Sequence, residues 1–348
     1  MKHARLKLFT AFLVMFFCIS PASAWSGKQG WTYDAKYPIT SSVAVGGGLV
    51  LAGDEAGYLH AVHVASGQLA WIYEGFHSVV GMPAVSGGMV VFAQADGTIT
   101  ALSLSDGKEL WKHKPQGEGP AETVVDGATI GGGKVFYVQG DGKLSALSAS
   151  NGRKLWTYNE DMELRNAPSI SDNFVFVGEY RGLFTALDPN TGKRVWGGGA
   201  GGAINTPTAY GGYVYYSSWD GSIHAVQIKG VIPQWNANVG EPVSTPPFVE
   251  GDRVFVGTAN GKVVALSRAK GEILWSFDTK GGTVVGTPIV AEGLVFAGGG
   301  QGILFVLDAA TGGIRFTFNT GGGINGTPAY SGGILFLGSD DGKIYAIL

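Results

Sequence analysis

The sequence predicts an all-β fold made of eight copies of one unit, and two recurring positions carry this prediction. A turn glycine recurs every 39 to 45 residues, at Gly57, Gly97, Gly142, Gly182, Gly221, Gly261, Gly302 and Gly342. An aromatic residue recurs at a similar spacing, at Trp31, Trp71, Trp111, Trp156, Trp196, Trp235, Trp275 and Phe316. Strand-like repeats of this length are typical of β-propellers, in which each repeat contributes one four-stranded blade.

The clearest copy of the unit, residues 174–196, contains three short strands. On both sides of Gly182, which closes the first turn, side chains alternate with the period of two that β-strands have. The second turn runs from Asp188 to Gly192, where the carboxylate can accept bonds from the turn's own amides and the glycine can take a positive φ. Trp196 then closes the third strand.

The two ends of the repeat pattern predict how the ring closes. Trp31 has no complete unit before it, and the last unit stops at Leu348 before its own aromatic position. We therefore predict that the N-terminal strand joins the three C-terminal strands in one blade, which leaves no long unpaired edge. The eight-bladed domain is predicted to span residues 25–348.

Residues 1–24 are predicted to be a cleaved secretory signal peptide. The segment begins with basic residues, continues with an apolar run too short to span a membrane, and ends at an Ala-Ser-Ala site. Phe17, which precedes the single cysteine Cys18, is larger than the residue expected before a lipidated cysteine. We therefore expect cleavage after Ala24, no lipid anchor, and a periplasmic or secreted mature chain without disulfides.

The composition argues against a nucleic acid partner. Charged residues are 15% of the chain and the net charge is −3, which leaves no basic surface for phosphates. The 58 glycines fall largely at repeat turns, so they indicate hairpins and not disorder.

Prolines mark the innermost strand of most units. Pro lacks a backbone donor, so at the inner edge of a blade it loses no ladder bond and discourages further pairing. The pairs concerned are Met82-Pro83, Ala167-Pro168, Thr206-Pro207, Thr245-Pro246, Thr287-Pro288 and Thr327-Pro328. We predict that these segments line the mouth of a central channel, where a small ligand could bind.

Residues 186–196 resemble the tryptophan-docking motif of the PQQ-like β-propeller repeats, with weaker copies at 101–111, 146–156 and 306–316. This resemblance implies that each recurring aromatic residue packs on the neighbouring blade, where a buried indole also needs a partner for its N–H. The eight recurring aromatic residues are therefore predicted to be structural. Phe316 keeps the ring but lacks the donor, so we expect a looser joint between the seventh and eighth blades.

The PQQ-like family includes quinoprotein dehydrogenases and non-catalytic scaffolds. The dehydrogenases are longer, have an adjacent cysteine pair beside the cofactor, and bind calcium through acidic and amide side chains. This chain has no cysteine after residue 24 and few carboxylates at inner positions, so we expect no cofactor, no metal and no catalytic site. His60 and His224 occupy matching positions and are expected to pack. A PQQ-dependent dehydrogenase and a small-molecule or glycan binder remain alternatives.

One end of the ring is predicted to bind a partner. Interblade loops and the first turn of each unit emerge at the same end, and loops on a rigid scaffold carry function. Tyr, Trp and Arg dominate protein interfaces. The predicted partner-binding residues are Glu122, Leu164, Arg165, Tyr180, Arg181, Trp219 and Asp220. The alternative is that they are ordinary solvated turn residues.

Among scaffold members, the chain resembles the BamB-type propellers of the outer-membrane β-barrel assembly machinery. In that family a Leu-Arg pair in an interblade loop helps to dock the barrel-forming subunit, and residues 163–168 resemble that loop. The resemblance implies a docking role for Leu164 and Arg165 and an envelope protein as partner. The acidic residues of that family would fall near Gly202 and Ile204, where this chain departs from its pattern.

Overall fold

The computed structural model describes residues 25–115, 126–159, 163–164, 166–171, 173–280 and 282–348. The predicted signal peptide and two predicted site residues, Glu122 and Arg165, lie outside these ranges. Within them the chain forms 32 β-strands arranged as eight four-stranded antiparallel sheets. None of these ranges contains a helix with the length and apolar character needed to cross a membrane.

The first four blades each use four consecutive strands, in the order of the sequence. Blade 1 contains β2 (Ala44–Gly46), β3 (Leu49–Gly53), β4 (Tyr58–His63) and β5 (Leu69–Glu74). Blade 2 contains β6 (Val79–Ser86), β7 (Met89–Gln94), β8 (Ile99–Ser103) and β9 (Glu109–His113). Blade 3 contains β10 (Thr129–Gly131), β11 (Lys134–Val138), β12 (Leu144–Ser148) and β13 (Lys154–Tyr158). Blade 4 contains β14 (Ser169–Ser171), β15 (Phe174–Gly178), β16 (Leu183–Leu187) and β17 (Arg194–Gly199).

The next three blades repeat this order, and the last blade combines the two ends of the domain. Blade 5 contains β18 (Thr208–Tyr210), β19 (Tyr213–Ser217), β20 (Ser222–Gln227) and β21 (Ile232–Asn238). Blade 6 contains β22 (Phe248–Glu250), β23 (Arg253–Gly257), β24 (Lys262–Ser267) and β25 (Ile273–Asp278). Blade 7 contains β26 (Ile289–Ala291), β27 (Leu294–Gly298), β28 (Ile303–Asp308) and β29 (Ile314–Asn319). Blade 8 contains β30 (Ala329–Ser331), β31 (Ile334–Ser339), β32 (Lys343–Ile347) and β1 (Gln29–Asp34).

The predicted closure of the ring is confirmed. Strand β1 pairs antiparallel with β32, with Thr32 opposite Tyr345 and Asp34 opposite Lys343. The turn that other blades have between their last two strands is replaced here by hydrogen bonds between the two chain segments. The backbone N–H groups of Ser26 and Lys28 donate to the Leu348 carbonyl at 3.0 and 3.2 Å.

The core lies between the blades. The second and third strands of each blade are buried along most of their length, whereas the outermost strands alternate between exposed and half-buried positions. The middle strands therefore read as apolar runs, as expected when both faces of a strand are covered. Together with the regular turn glycines, this pattern explains why the repeat was visible in the sequence.

Six of the recurring tryptophans connect one blade to the next. Each indole N–H donates to a backbone carbonyl in the last turn of the following blade, at 2.7 to 3.1 Å. A positive-φ glycine in that turn lies flat against the ring, and a Cβ added there would lie 2.5 to 2.7 Å from ring atoms. These glycines are Gly67, Gly107, Gly152, Gly192, Gly271 and Gly312. The close approach and the backbone conformation both require glycine.

The joint at Phe316 contains a second aromatic ring that the repeat pattern did not predict. Trp25 packs edge-on against Phe316 at a centroid distance of 5.9 Å and against Phe296 at 5.3 Å. Gly27 lies beneath the Phe316 ring in the position that the turn glycines occupy elsewhere. A second aromatic ring therefore fills the space that the smaller side chain leaves, and the looser joint stays a prediction.

The joint after Trp196 departs from the pattern instead. Its indole N–H is buried and has no hydrogen-bond partner in the described part of the chain. At the turn position where the other blades have glycine, blade 5 has Val231, which keeps a positive φ of 53°. The unit that matched the family motif best therefore has the least regular joint.

We expect Gly192→Ala to lower the free energy of unfolding by about 2–4 kcal/mol, because the new Cβ lies 2.6 Å from the Trp156 ring and the backbone is left-handed. The matched control is Gly212→Ala, which has a similar positive φ but open space around the new Cβ. It should lose only about 1–2 kcal/mol. Urea denaturation measures both values, and equal losses would show that contact with the indole contributes nothing.

Candidate functional site

The candidate site lies at one end of the ring, which we call the loop end. It consists of the turns between the second and third strands of each blade, such as residues 179–182 and 218–221, and of the interblade loops, such as 200–207. Backbone bonds tie these segments together. The Ile204 N–H donates to the Glu179 carbonyl at 3.0 Å, and the Trp219 N–H donates to the Ala203 carbonyl at 2.9 Å. One interblade loop thus holds the turns of blades 4 and 5.

Three of the predicted partner-binding residues are exposed on these two adjacent turns. Tyr180 is 61% exposed, Trp219 is 50% exposed, and the Arg181 side chain is 70% exposed. The Arg181 guanidinium lies 3.9 Å from the Glu163 carboxylate, an exposed pair of small energetic value. We call Tyr180, Arg181 and Trp219 the aromatic–arginine patch. It presents two large rings and a cation on backbone that is fixed by hydrogen bonds.

Asp220 connects the turn of blade 5 to the interblade loop by hydrogen bonds. Its carboxylate accepts hydrogen bonds from the Gly201 N–H at 2.6 Å and from the Ser222 N–H and Oγ at 2.8 and 2.5 Å. Burial opposes ionisation of the carboxyl, but the bonds from Ser222, Gly201 and Ser218 outweigh it and lower the Asp220 pKa. The side chain predicted to contact a partner is therefore ionised at neutral pH and positions the neighbouring Trp219.

Leu164 is not available on the surface, which corrects the sequence-based assignment. It is 1% exposed and packs with Val138, Tyr158 and Val177 between blades 3 and 4. Its backbone forms an isolated antiparallel bridge with Glu179. An apolar side chain in a loop is driven into the nearest gap between blades, so its position in the loop did not imply exposure. Leu164 anchors the loop that continues to Arg165.

Sequence reasoning missed two exposed aromatic residues on the loop end. Phe76, between blades 1 and 2, is 90% exposed, and Tyr37, between blades 8 and 1, is 46% exposed. Tyr37 stacks on Tyr58 with centroids 6.0 Å apart. Both residues lie in interblade loops, and this position in the sequence could have identified them as members of the loop end. They are across the ring from the aromatic–arginine patch, since blade 1 is opposite blade 5.

The inner strands surround a central cavity of about 940 Å³. Its lining includes Pro83, Pro246 and Pro328, which agrees with the predicted position of the prolines at the channel. No charged residue other than Asp126 is among its lining side chains within the described ranges. Burial raises the pKa of Asp126, against the bonds it accepts from the Gly127 and Ala167 N–H groups.

The two matching histidines pack against tyrosine rings. His60 Nε2 lies 2.9 Å from Asp54 Oδ2, and its Nδ1 lies 3.2 Å from the Tyr33 hydroxyl. The His224 ring stacks on Tyr216 with centroids 4.7 Å apart. Across the described ranges, no three His, Cys, Asp or Glu side chains come together in an arrangement that could hold a metal ion.

Eight blades with these strand orders and a repeated indole joint define a PQQ-like β-propeller. The family model described as outer membrane protein assembly factor BamB matches residues 18–167 and 160–348. The chain belongs to this family.

Individual proteins agree with this assignment. The outer membrane protein assembly factor BamB of Moranella endobia is 29% identical over 146 residues, which cover 35% of this chain and 38% of that protein. The match therefore spans well under half of that relative's length.

Solved structures show the same architecture. The crystal structure of BamB from Moraxella catarrhalis has a TM-score of 0.79 at 22% identity, covering 92% of this chain and 96% of that one. The quinohemoprotein alcohol dehydrogenase from Comamonas testosteroni has a TM-score of 0.74 at 14% identity, covering 92% and 76%. At these identities the likeness shows the fold alone, and it is shared by a BamB protein and an alcohol dehydrogenase.

Proposed function

We propose that the protein is an exported, non-catalytic scaffold of the cell envelope that binds the barrel-forming subunit of the outer-membrane assembly machinery. The observation that carries this proposal is the aromatic–arginine patch on the loop end. Membership of the BamB family supports the choice of partner. The basic and apolar segment before residue 25 supports export by a signal peptide.

The chemistry of the patch favours a protein as the partner. Interfaces are enriched in Tyr, Trp and Arg. Tyr and Trp bury a large area at a low cost in side-chain entropy, and Arg adds a charge with five N–H donors. Tyr180 and Trp219 lie on turns held by backbone bonds to a shared loop, so little ordering is needed on binding. Residues Arg165 and Glu122 of the adjacent loops remain predicted members of this surface.

The test is a binding measurement with the purified mature protein and the barrel-forming subunit of the same organism in detergent. We expect a saturable complex of micromolar or tighter affinity by titration calorimetry. In a parallel experiment the protein is incubated with PQQ and Ca²⁺ and assayed for dye-linked alcohol oxidation. Turnover there, or no complex with the subunit, would contradict the scaffold proposal.

Asp308→Ala, at the end of the ring opposite the loop end, serves as the control variant. Asp308 accepts bonds from the Ala310 and Thr311 amides, and the Arg315 guanidinium donates to it at 2.6 Å. The bonds from Arg315 and Thr311 lower the Asp308 pKa to about 2. We expect the variant to lose about 1 kcal/mol of stability and to bind the partner normally.

The stability lost in Asp308→Ala should depend on pH, and the lowered pKa of Asp308 sets the direction of this dependence. A carboxyl with a lowered folded-state pKa stabilises the fold above its unfolded pKa of about 3.9, and the contribution disappears as the pH falls through about 2. The difference in melting temperature between the wild type and Asp308→Ala should therefore be constant from pH 7 to about pH 5 and shrink toward pH 2. A difference that grows on acidification would contradict this role for Asp308.

A further inference from the structure

The irregular joint between blades 4 and 5 contains a cavity of about 550 Å³. It lies between the outermost strand of blade 4, β17, and the two outer strands of blade 5, β20 and β21. Ligand pockets commonly have volumes of about 300 to 1,000 Å³. The cavity is distinct from the central channel and from the loop-end surface.

Two substitutions in the repeat pattern open this joint. At most other joints, the residue two positions after the recurring aromatic is itself a ring that contacts a ring of the next blade. Examples are Tyr73 with Phe92 and Phe318 with Tyr345, at centroid distances of 5.6 and 5.5 Å. Blade 4 has Gly198 at this position.

Val231 is the second substitution. In the other blades a glycine at this turn position lies flat against the preceding ring, which is an indole except at Phe316. Val231 has the same left-handed backbone but carries a β-branched side chain, which excludes an indole from that place. Trp196 consequently lines the cavity, and its buried N–H has no partner among the described residues.

Aromatic rings surround the space that is left. The Phe184 ring packs against Tyr216 with centroids 4.5 Å apart, and His224 lies parallel to Tyr216 at 4.7 Å. The Tyr216 hydroxyl donates to the Gly199 carbonyl at 3.2 Å across the joint. These contacts leave Tyr216 only 3% exposed and Phe184 fully buried, so the accessible rings of the cavity are the half-buried Trp196 and His224, beside the bare backbone of residues 197–199.

The polar groups around the cavity are neutral. Its lining contains no Asp, Glu, Lys or Arg side chain in the described structure, and its exposed side includes the amides of Gln234 and Asn236. Burial lowers the pKa of His224, against a smaller opposing effect of Asp220, so the imidazole is neutral at neutral pH. A charged ligand would lose hydration here without gaining an ionic partner.

A chain of hydrogen bonds sets the tautomer of His224. The Ser222 hydroxyl donates to Asp220 at 2.5 Å, so its oxygen accepts from His224 Nε2 at 2.9 Å. The proton is thereby placed on Nε2, and Nδ1 keeps its lone pair as an acceptor. The cavity thus combines the half-buried Trp196 ring, an imidazole acceptor and two amides.

We propose that this cavity binds a neutral saccharide unit between blades 4 and 5, with its ring against the half-buried Trp196 side chain and its hydroxyl groups bonded to Gln234, Asn236 and His224 Nδ1. A sugar ring has a flat C–H face for an aromatic side chain and a rim of uncharged hydroxyl groups that both donate and accept. This combination matches the lining described above. The inference is independent of the proposed partner surface.

The test is calorimetric titration of the mature protein with the neutral trisaccharides maltotriose, cellotriose and chitotriose, with trigalacturonate and adenine as comparison ligands. At least one neutral trisaccharide should bind with a Kd of about 1 mM or lower, and trigalacturonate should not bind. Binding of adenine in place of every saccharide, or no saccharide binding at all, would overturn the proposal.

Two variants locate the site. Trp196→Phe removes a large part of the ring surface that the sugar packs against, so the affinity should fall at least tenfold while the protein stays monomeric. Val231→Gly restores the glycine that lets an indole dock, so it should close the cavity, abolish saccharide binding and raise the melting temperature. Unchanged affinity in Val231→Gly would place the bound sugar elsewhere, such as the central channel, and would overturn this site.

Discussion

Deletion of residues 25–37 should abolish the soluble monomer. The deletion removes β1, so β32 becomes an exposed edge of the ring, and exposed edges promote aggregation. It also removes the bond from the Trp31 N–H to the Val64 carbonyl and the contacts of Trp25 with Phe296 and Phe316. Size-exclusion chromatography and thermal melting followed by circular dichroism measure the effect.

A strand added in trans provides the control for this deletion. A synthetic peptide of residues 25–37 should restore a monomeric complex when present during refolding, whereas a scrambled peptide of the same composition should not. The peptide can pair with β32 because the native closure is already non-covalent at Leu348. A truncated chain that remains monomeric with an unchanged melting temperature would contradict the role of β1 in closing the ring.

The double variant Tyr180→Ala and Trp219→Ala should weaken binding of the partner by about 100-fold or more. Interface aromatics commonly contribute about 2 kcal/mol each when truncated, and each 1.4 kcal/mol is a factor of ten in affinity. Both side chains are at least half exposed in the free protein, so the melting temperature should change little. Arg165→Glu, which reverses a charge predicted to pair with the partner, should likewise abolish capture.

Two matched variants decide which surface is used. Asp308→Ala tests the opposite end of the ring, and the double variant Tyr37→Ala and Phe76→Ala tests the loop end across the ring from the patch. Both should bind with wild-type affinity. If Asp308→Ala fails to bind while the patch variant binds normally, the working surface is the opposite end, and the assignment of Arg165 and Arg181 must be abandoned.

The architecture was predictable because its determinants are local and repeated. A glycine turn, two alternating strands and a closing aromatic occur eight times, so an irregular copy does not obscure the period. The closure by β1 followed from the offset between the Gly57 series and the Trp31 series. The candidate patch could be proposed for a related reason, since the repeat places Tyr180 and Trp219 at equivalent turns on one end.

The burial of loop side chains could not be read from the repeat. Leu164 and Tyr180 are both large residues near the same turn, yet one is 1% exposed and the other 61% exposed. The difference depends on the gap between blades 3 and 4, which Leu164 fills beside Val138 and Val177. The sequence pattern within one blade cannot predict the size of a gap that forms only when two blades pack together.

The sequence by itself therefore determined the number of blades, their strand order and the closure of the ring, because each depends on short-range alternation and on a regular period. Only the tertiary structure decided how individual joints are filled. Trp25 fills the joint at Phe316, whereas Gly198 and Val231 leave a cavity beside Trp196. These outcomes depend on side chains about 35 to 290 residues apart that meet only when neighbouring blades pack, and close packing makes each joint sensitive to a single ring or methyl group.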